Sequence, residues 1–211
     1  MKIAKRNLYL GAGPLITLFL VGLVFVMRAY LPKIPTAAIV SPRSKGSIQA
    51  PIQIMEYSDF QCPSCKAAQS TIKALMNEYP DQIRLRYLHF PLEGHKWSLI
   101  AHRAAECAAS QNRFWEYHDR LYAEQEVWSK SAEMPVEPFL NYAKDVGVGD
   151  LNQFAVCLAD PKEDQKVIED QTAGLSFGVR STPSFFIDGK LVVGGDKLAE
   201  AVRKMQRLKR G

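Results

Sequence analysis

The sequence predicts an α/β fold in which a helical insertion divides a small sheet domain, preceded by one N-terminal transmembrane helix. A strand–helix–strand pattern runs over residues 51–90, and an almost wholly helical pattern runs over residues 97–177. Two short strands and a closing helix follow. The predicted parts are a cytoplasmic stub at 1–7, a transmembrane anchor at 8–27, a linker at 28–49, the sheet domain at 50–94 and 178–211, and the helical insertion at 95–177.

The N-terminal segment 8–27 contains no charged residue over 20 positions, and basic residues flank it on both sides. A helix of this length spans about 30 Å, the thickness of a hydrocarbon core. A cleaved signal peptide remains the alternative, although its apolar region is usually only about 7–15 residues long. Residues 28–49 contain three prolines and are interpreted as a tether that lifts the domain off the membrane.

The net charge of +5 belongs to the N-terminal arm. Residues 1–45 hold seven Lys and Arg and no acidic residue, so the remainder has 20 basic and 22 acidic residues, a balance of −2. A nucleic-acid-binding face needs basic residues clustered on the domain itself. The composition therefore argues against nucleic acid as a partner.

The sheet domain begins with a strand at Pro51–Tyr57, followed by a helix to about Tyr79 and a strand at Ile83–Phe90. This βαβ unit implies a parallel pairing. The helices predicted for the insertion are Trp97–Gln111, Phe114–Trp128, Val136–Val146, Leu151–Leu158 and Glu163–Phe177. The predicted closing elements are strands Ser184–Asp188 and Leu191–Val193, joined by Asp188-Gly189, and a helix at about Asp196–Leu208.

The pair Cys62 and Cys65 lies at the start of the first helix, with two residues between the sulfurs. Free backbone N–H groups and the helix dipole favour negative charge there, so a thiolate at Cys62 is stabilised. Pro63 suits the first helical position. Ser64 adds no charge, so the helix terminus has to supply most of the effect. The pattern predicts an exposed attacking sulfur at Cys62 and a shielded resolving sulfur at Cys65.

The other two cysteines, Cys107 and Cys157, fall in two predicted helices of the insertion. In an oxidising compartment they favour a structural disulfide. Two buried free thiols and a second redox-active pair remain open. A zinc site is not predicted, because these cysteines are single and far apart, and no cofactor is predicted. The four histidines lack metal-ligand spacing and are interpreted as surface or structural residues, with His89 as a candidate for tuning the site.

Four separated motifs resemble the DsbA-type thiol–disulfide oxidoreductases of the thioredoxin superfamily, in their membrane-anchored form. The resemblance covers about residues 48–208 and implies a thioredoxin-like fold with an inserted helical domain. The motifs are Phe-x-Cys-Pro-Ser-Cys at 60–65, His-Phe-Pro-Leu at 89–92, Ala-x-x-Cys-Ala-x-x-x-x-x-Phe-Trp-Glu at 104–116 and Gly-Val-Arg-Ser-Thr-Pro-Ser-Phe-Phe at 178–186.

The resemblance also implies roles for Pro183, Thr182 and Glu56. Pro183 matches a proline whose cis peptide bond lies opposite the cysteine pair, which leaves the Thr182 peptide free to pair with an extended substrate. A trans turn is the alternative. Glu56 matches an acidic residue six positions before the first cysteine, a proton acceptor for Cys65. A solvent-exposed edge-strand glutamate is the alternative, and Arg86 is a possible partner.

The function that this resemblance implies is donation of disulfides to folding proteins, outside the cytoplasm, by a domain anchored in the cell membrane. The expected partners are reduced secreted or periplasmic proteins and a quinone-linked membrane reoxidase of DsbB or VKOR type. A reductase or isomerase of the same fold, kept reduced by a membrane electron donor, is the first rival. A non-catalytic binding or chaperone module with a structural disulfide is the second.

Overall fold

The structure, a computed structural model, describes residues 41–210, together with Val21. The predicted stub, the anchor at 8–27 apart from Val21, and residues 28–40 of the predicted linker lie outside the described residues. Within the described part of the chain, no helix is both long enough and apolar enough to cross a membrane.

A five-stranded sheet in the order β1-β3-β2-β4-β5 forms the centre of the fold. Strands β2 (Ile52–Ser58) and β3 (Ile83–His89) pair in parallel, as the predicted βαβ unit requires. Strand β4 (Ser184–Ile187) pairs antiparallel with β2, and β5 (Lys190–Val193) pairs antiparallel with β4. The last two strands of the chain therefore complete the sheet beside the strand that leads into the cysteine pair.

Strand β1 (Ser44–Lys45) corrects the prediction that residues 28–49 are only a linker. It pairs antiparallel with β3, so the end of the predicted tether is part of the sheet. Gly46 makes this approach possible, because its φ is +88° and a Cβ there would lie 2.2 Å from the carbonyl oxygen of Ile83. The side chain of Arg43 is buried in ion pairs to Glu106 and Asp170. Sequence patterns gave no sign of these contacts, which join residues distant in the chain.

Eight α-helices accompany the sheet in the described residues. They are α1 (Pro63–Glu78), α2 (Ser98–Ala109), α3 (Phe114–Ala123), α4 (Gln125–Trp128), α5 (Val136–Asp145), α6 (Leu151–Ala159), α7 (Gln165–Ser176) and α8 (Gly195–Arg210). Helices α1 and α8 pack together against one face of the sheet, through Ile54, Ile72 and Leu198. Gly174 of α7 packs against Tyr57 on the opposite face, where any Cβ would collide with the ring. The fold is thus an α/β layered domain.

Two predicted helices of the insertion are divided in the structure. The segment predicted as Phe114–Trp128 breaks at Glu124, whose φ of −93° and ψ of 12° separate α3 from α4. The segment predicted as Glu163–Phe177 begins with a 3₁₀ turn at Pro161–Asp164 before α7. The spacing of apolar residues does not reveal such breaks. A 3₁₀ turn, or one residue outside the helical conformation, changes the position of the apolar stripe very little.

The insertion and the cysteine pair share one hydrophobic cluster. Phe60 of the loop before Cys62 stacks on Tyr87 of β3 at 5.0 Å between ring centroids. Aromatic residues of α3, α4 and α5 surround this pair and are almost fully buried. The buried Phe, Tyr and Trp residues of these helices are Phe114, Tyr117, Tyr122, Trp128, Phe139 and Tyr142. The insertion is therefore packed directly onto the loop that carries the candidate site.

Candidate functional site

The N-terminus of α1 forms the candidate site. Cys62 is the N-cap residue with extended backbone angles, and Pro63 occupies the first turn, where a missing N–H costs nothing. The carbonyl of Cys62 accepts the N–H groups of Cys65 and Lys66 at 3.1 and 3.2 Å. The backbone N–H groups of Ser64 and Cys65 also act on the sulfur of Cys62, and they lower its pKa.

A second loop covers Cys62 from the opposite side. The Thr182–Pro183 peptide bond is cis, so the trans alternative is wrong. The sulfur of Cys62 lies 3.6 Å from the Thr182 carbonyl oxygen. Cys62 is only 7% exposed because of this cover, which corrects the prediction of an openly exposed attacking sulfur. Cys65 is fully buried, as predicted.

The two sulfurs have opposite acidities. The pKa of Cys62 is lowered to about 5, first by a hydrogen bond from the Cys65 thiol, then by the Thr182 side chain and the backbone N–H groups of Cys65 and Ser64. The first turn of the helix therefore contributes through its backbone N–H groups, beside the larger contribution of the Cys65 thiol. Burial, followed by the neighbouring Cys62, raises the pKa of Cys65 far above its ordinary value. Near neutral pH the pair holds one thiolate and one thiol.

Glu56 is fully buried beneath the cysteine pair, so the solvent-exposed alternative is wrong. Gln69 donates to Oε1 of Glu56 at 2.9 Å and approaches the carbonyl oxygen of Cys65 at 3.4 Å, which links the two residues. Burial raises the pKa of Glu56, although hydrogen bonds from Ser58 and Gln69 oppose the shift. The side-chain donor that the structure places on Oε1 is Gln69, rather than Arg86, the partner considered from the sequence.

Asp59 is a second buried carboxylate, and sequence reasoning missed it. Its Oδ1 accepts the N–H of Gln61 at 2.7 Å and the hydroxyl of Ser98 at 2.6 Å. Its Oδ2 accepts the N–H of Leu92 at 2.9 Å and lies 2.6 Å from Nδ1 of His95. Although burial alone acts to raise its pKa, hydrogen bonds from histidine and serine side chains hold the pKa well below the ordinary range. Asp59 is therefore an ionised anchor of the loop before Cys62.

The insertion also holds this loop through Gln125 and Tyr122. The amide of Gln125 donates to the carbonyl oxygens of Phe60 at 2.7 Å and Cys62 at 3.0 Å. The hydroxyl of Tyr122 lies 3.0 Å from Oγ of Ser58. A Gln or Tyr in an amphipathic helix is too common for its position in the sequence to have identified these contacts.

Three of the four histidines are buried, so of the two interpretations given from the sequence, surface or structural, these three are structural. Nδ1 of His89 lies 2.6 Å from Nδ1 of His102. Nε2 of His89 lies 2.8 Å from Oε1 of Glu106. Burial lowers the pKa of His89 to about 4, so the ring is neutral near neutral pH. His118 is also fully buried, whereas the side chain of His95 is 25% exposed. Among the described residues, no group of His, Cys, Asp and Glu has a metal-binding arrangement.

Cys107 of α2 and Cys157 of α6 form a disulfide with their Cα atoms 5.8 Å apart. The sequence left two free thiols and a second redox pair open; the structure contains the bridge. Cys107 is fully buried and Cys157 packs at the edge of the same cluster. The bridge therefore joins two helices of the insertion.

A cysteine pair at a helix start, facing a cis-proline loop on this sheet, defines a thioredoxin-like redox protein. A family model described as thioredoxin matches residues 40–205. The chain therefore belongs to the thioredoxin family, and its fold is that of the DsbA-type thiol–disulfide oxidoreductases, as the motifs predicted.

Solved structures with this fold include a thioredoxin-like oxidoreductase, BdbD and DsbA2. A thioredoxin-like oxidoreductase from Silicibacter pomeroyi has a TM-score of 0.64 and 25% identity, covering 78% of this chain and 91% of its own. Oxidised BdbD from Bacillus subtilis has a TM-score of 0.67 and 20% identity, covering 77% and 91%. DsbA2 from Pseudomonas aeruginosa has a TM-score of 0.61 and 23% identity, covering 82% and 97%.

Curated relatives similar to this chain are much longer proteins. The Na(+)/H(+) antiporter NhaA 3 of Salinispora tropica is 35% identical over 147 residues, which is 69% of this chain and 21% of the antiporter. The NhaA 1 antiporter of Mycobacterium sp. (strain KMS) is 31% identical over 165 residues, or 77% and 26%. The chain thus spans about a fifth to a quarter of the relatives it matches.

Proposed function

We propose that this protein is an extracytoplasmic thiol–disulfide oxidoreductase that donates the Cys62–Cys65 disulfide to folding proteins. The observation that carries the proposal is the position of Cys62, between the first turn of α1 and the carbonyl of Thr182. A thiolate is the leaving group when a substrate thiolate attacks a disulfide, and a low leaving-group pKa speeds that step. The fold of the exchange proteins and the family membership support a redox enzyme.

The proposed cycle uses only sulfur and proton chemistry. A substrate thiolate attacks Cys62 in the oxidised pair, which forms a mixed disulfide and releases Cys65. Because the pKa of Cys65 is raised, its sulfur takes up a proton, and the buried carboxyl of Glu56 is the nearby group proposed to exchange it. A second substrate thiolate then attacks the mixed disulfide, which forms the substrate disulfide and releases Cys62 as a thiolate.

The proposed direction follows from the acidity of Cys62. Lowering its pKa to about 5 stabilises the reduced enzyme, and a stabilised reduced form makes a dithiol pair a stronger oxidant. The Thr182 carbonyl faces the same sulfur and is proposed to accept an N–H of an extended substrate strand. Such backbone pairing holds a mixed disulfide without requiring a particular substrate sequence.

The proposed location is the outer side of the cell membrane, with residues 8–27 as the anchor. The Cys107–Cys157 disulfide supports an oxidising compartment, because structural disulfides persist outside the cytoplasm. Continued donation requires an electron acceptor. We propose reduced secreted or periplasmic proteins as substrates and a quinone-linked membrane protein of DsbB or VKOR type as the reoxidase.

The reduction potential of Cys62–Cys65 tests the direction. The full chain is equilibrated with glutathione redox buffers, and the reduced fraction is measured by thiol alkylation. We expect a potential above about −180 mV, towards the value near −120 mV of strongly oxidising pairs. The oxidised protein should also introduce disulfides into a reduced, unfolded substrate, and Cys62→Ser should not.

A value near −270 mV, typical of thioredoxin, would contradict the donor and favour the reductase. In that case the protein would reduce insulin disulfides faster than it oxidises the unfolded substrate. Inactivity in both assays would indicate the non-catalytic module. The Cys107→Ser/Cys157→Ser variant is the matched control for the alkylation measurement, because it retains only the Cys62–Cys65 pair.

A further inference from the structure

His95 lies in the loop between β3 and α2, and this loop is bonded to the loop before Cys62 at several points. The N–H of Leu92 donates to Asp59 at 2.9 Å, and the N–H of Trp97 donates to the side-chain oxygen of Gln61 at 2.8 Å. Nδ1 of His95 lies 2.6 Å from Oδ2 of Asp59. The imidazole is therefore fixed relative to Cys62 by residues on both sides of it.

Asp59 connects this imidazole to the cysteine loop. Its side chain accepts the N–H of Gln61, and its main-chain carbonyl accepts the N–H of Cys62 at 3.1 Å. A buried negative charge three residues before Cys62 disfavours a thiolate there, because like charges repel strongly in a poorly solvated site. A protonated His95 on the same carboxylate cancels that repulsion. The side chain of His95 remains 25% exposed, so it can exchange protons with solvent.

We propose that His95 is a positioning residue that balances the charge of the Cys62 thiolate and takes up a proton when the Cys62–Cys65 disulfide is reduced. This inference rests on the proposed function, because it concerns the same redox cycle. It adds to that cycle a residue outside both the cysteine helix and the cis-proline loop. The resulting reduced state would contain an Asp59–His95–Cys62 set in which one cation lies beside two anions.

The reaction balances as follows. A substrate dithiol gives two electrons and two protons; the Cys62–Cys65 bond breaks and a substrate disulfide forms. One proton goes to the Cys65 sulfur, whose pKa is raised by burial, and Cys62 remains a thiolate. The second proton is shared between His95 and solvent, because His95 binds protons more tightly once Cys62 is a thiolate. A rise of half a unit to one unit in the pKa of His95 adds at most about 0.3 to 0.5 protons to the uptake, within the pH range where His95 titrates.

The charged surroundings of His95 agree with this role. Its pKa is raised, first by the hydrogen bond to Asp59 and further by the charge at Cys62, although burial opposes the shift. The adjacent Lys96 points elsewhere, since its Nζ donates to the carbonyl of Ala132 at 2.9 Å and lies 4.2 Å above the Trp97 ring. The charged groups that act on His95 are Asp59 and Cys62. Glu93 and Lys96 neighbour it in sequence, and Nε2 of His102 lies 3.8 Å from Oδ1 of the same Asp59 carboxylate.

The direct test is a pH titration of His95 in the full chain, in the oxidised and in the reduced state. The chemical shift of its ring proton, measured by NMR, gives the pKa in each state. We expect a higher pKa in the reduced state, by about half a unit to one unit. This measurement needs no variant. An unchanged pKa of His95 between the two redox states would overturn the inference.

A second test compares His95→Gln with Lys96→Gln, which removes a cation from the same loop without touching Asp59. The equilibrium constant for reduction by glutathione is measured against pH. In His95→Gln it should rise about tenfold per pH unit, because one proton is released throughout. In the wild type and in Lys96→Gln the equilibrium constant should rise less steeply near neutral pH. The change in this constant across the titration of His95 should therefore differ from that of His95→Gln by about threefold to tenfold. Curves of equal slope for His95→Gln and the wild type would also overturn the inference.

These outcomes separate the inference from the proposed function. A wild-type protein that does not exchange with glutathione defeats both. A wild-type protein that exchanges readily, with a low Cys62 pKa but no redox-dependent titration at His95, defeats only the role of His95.

Discussion

The two cysteine pairs of this protein show how environment decides what the same side chain does. Cys62 caps a helix, faces a carbonyl oxygen and has a lowered pKa. Cys107 lies within α2, where every nearby backbone N–H is used by the helix, and it bonds to Cys157, 50 residues away in sequence. One sulfur is held where a thiolate is stable, and the other is held where only a covalent bond or a thiol is stable. Reactivity is thus a property of position.

The largest expected effect is on the rate of thiol–disulfide exchange, which should depend on Cys62 and Cys65. Cys62→Ser should lower thiol–disulfide exchange by at least about a thousandfold, because a hydroxyl replaces the attacking sulfur. Cys65→Ser should instead trap mixed disulfides at Cys62, since the resolving sulfur is absent. Both are measured by exchange with a disulfide-bonded peptide and by non-reducing mass spectrometry. Equal exchange by Cys62→Ser and the wild type would show that the reactive sulfur lies elsewhere.

The second effect is on the free energy of unfolding, which should depend on the Cys107–Cys157 disulfide. Replacing Cys107 and Cys157 together by serine should lower the free energy of unfolding by about 4 kcal/mol, since the bridge closes a loop of 50 residues. Exchange at Cys62 should remain near the wild-type rate. Denaturant unfolding of the variant measures the loss, and reduction of only Cys62–Cys65 in the wild type is the control. If the Cys107→Ser/Cys157→Ser variant kept full stability but lost exchange activity, the structural role of this bridge would be wrong.

A smaller effect concerns the carboxylate beneath the buried sulfur. Glu56 has a raised pKa, so the folded protein holds a proton that the unfolded chain loses above about pH 4.3. Stability contributed by that proton is fully present below this value and is lost as pH rises from it through the raised pKa of the folded protein. Glu56→Gln should therefore raise the free energy of unfolding at neutral pH by about 1–3 kcal/mol, while slowing proton exchange at Cys65.

Asp59→Asn is the matched control for Glu56→Gln, because we expect it to change the free energy of unfolding at neutral pH in the opposite direction. The pKa of Asp59 is lowered, so its stabilising contribution is present above the unfolded value near 3.9 and is lost as pH falls below it. The variant should lose about 3 kcal/mol at neutral pH, since it breaks a buried charged network. Unfolding curves measured across pH test both variants, and a destabilised Glu56→Gln would contradict the interpretation of Glu56.

Much of the fold follows from local patterns in the sequence. The alternation in residues 52–58 predicts a strand, and the stripe of Cys65, Ala68, Ile72 and Leu75 predicts the buried face of α1. The pairing of Ser44 with Arg86 was not predictable, because a two-residue strand has no period and its partner lies 42 positions away. Glu124 breaks α3 from α4 without Gly or Pro, so no local signal announced that break.

The candidate site divides in the same way. Cys62, Pro63 and Cys65 are adjacent in sequence, so their motif indicates their chemistry directly. Asp59, His95 and Gln125 come from three separate segments, and each residue type is common on protein surfaces. Their burial and their hydrogen bonds arise only when the insertion packs on the loop before Cys62.

The sequence by itself determined where a sulfur can meet a helix terminus, because the spacing of two cysteines, a proline and an apolar stripe is local. Tertiary structure decided how much of that sulfur is exposed, which of two buried carboxyl groups has a raised pKa and which a lowered one, and which cysteines form a bond. These properties depend on desolvation and on donors from distant segments. A buried carboxylate surrounded by several donors has a lowered pKa, whereas one with little compensation has a raised pKa, and only the packed chain supplies those donors.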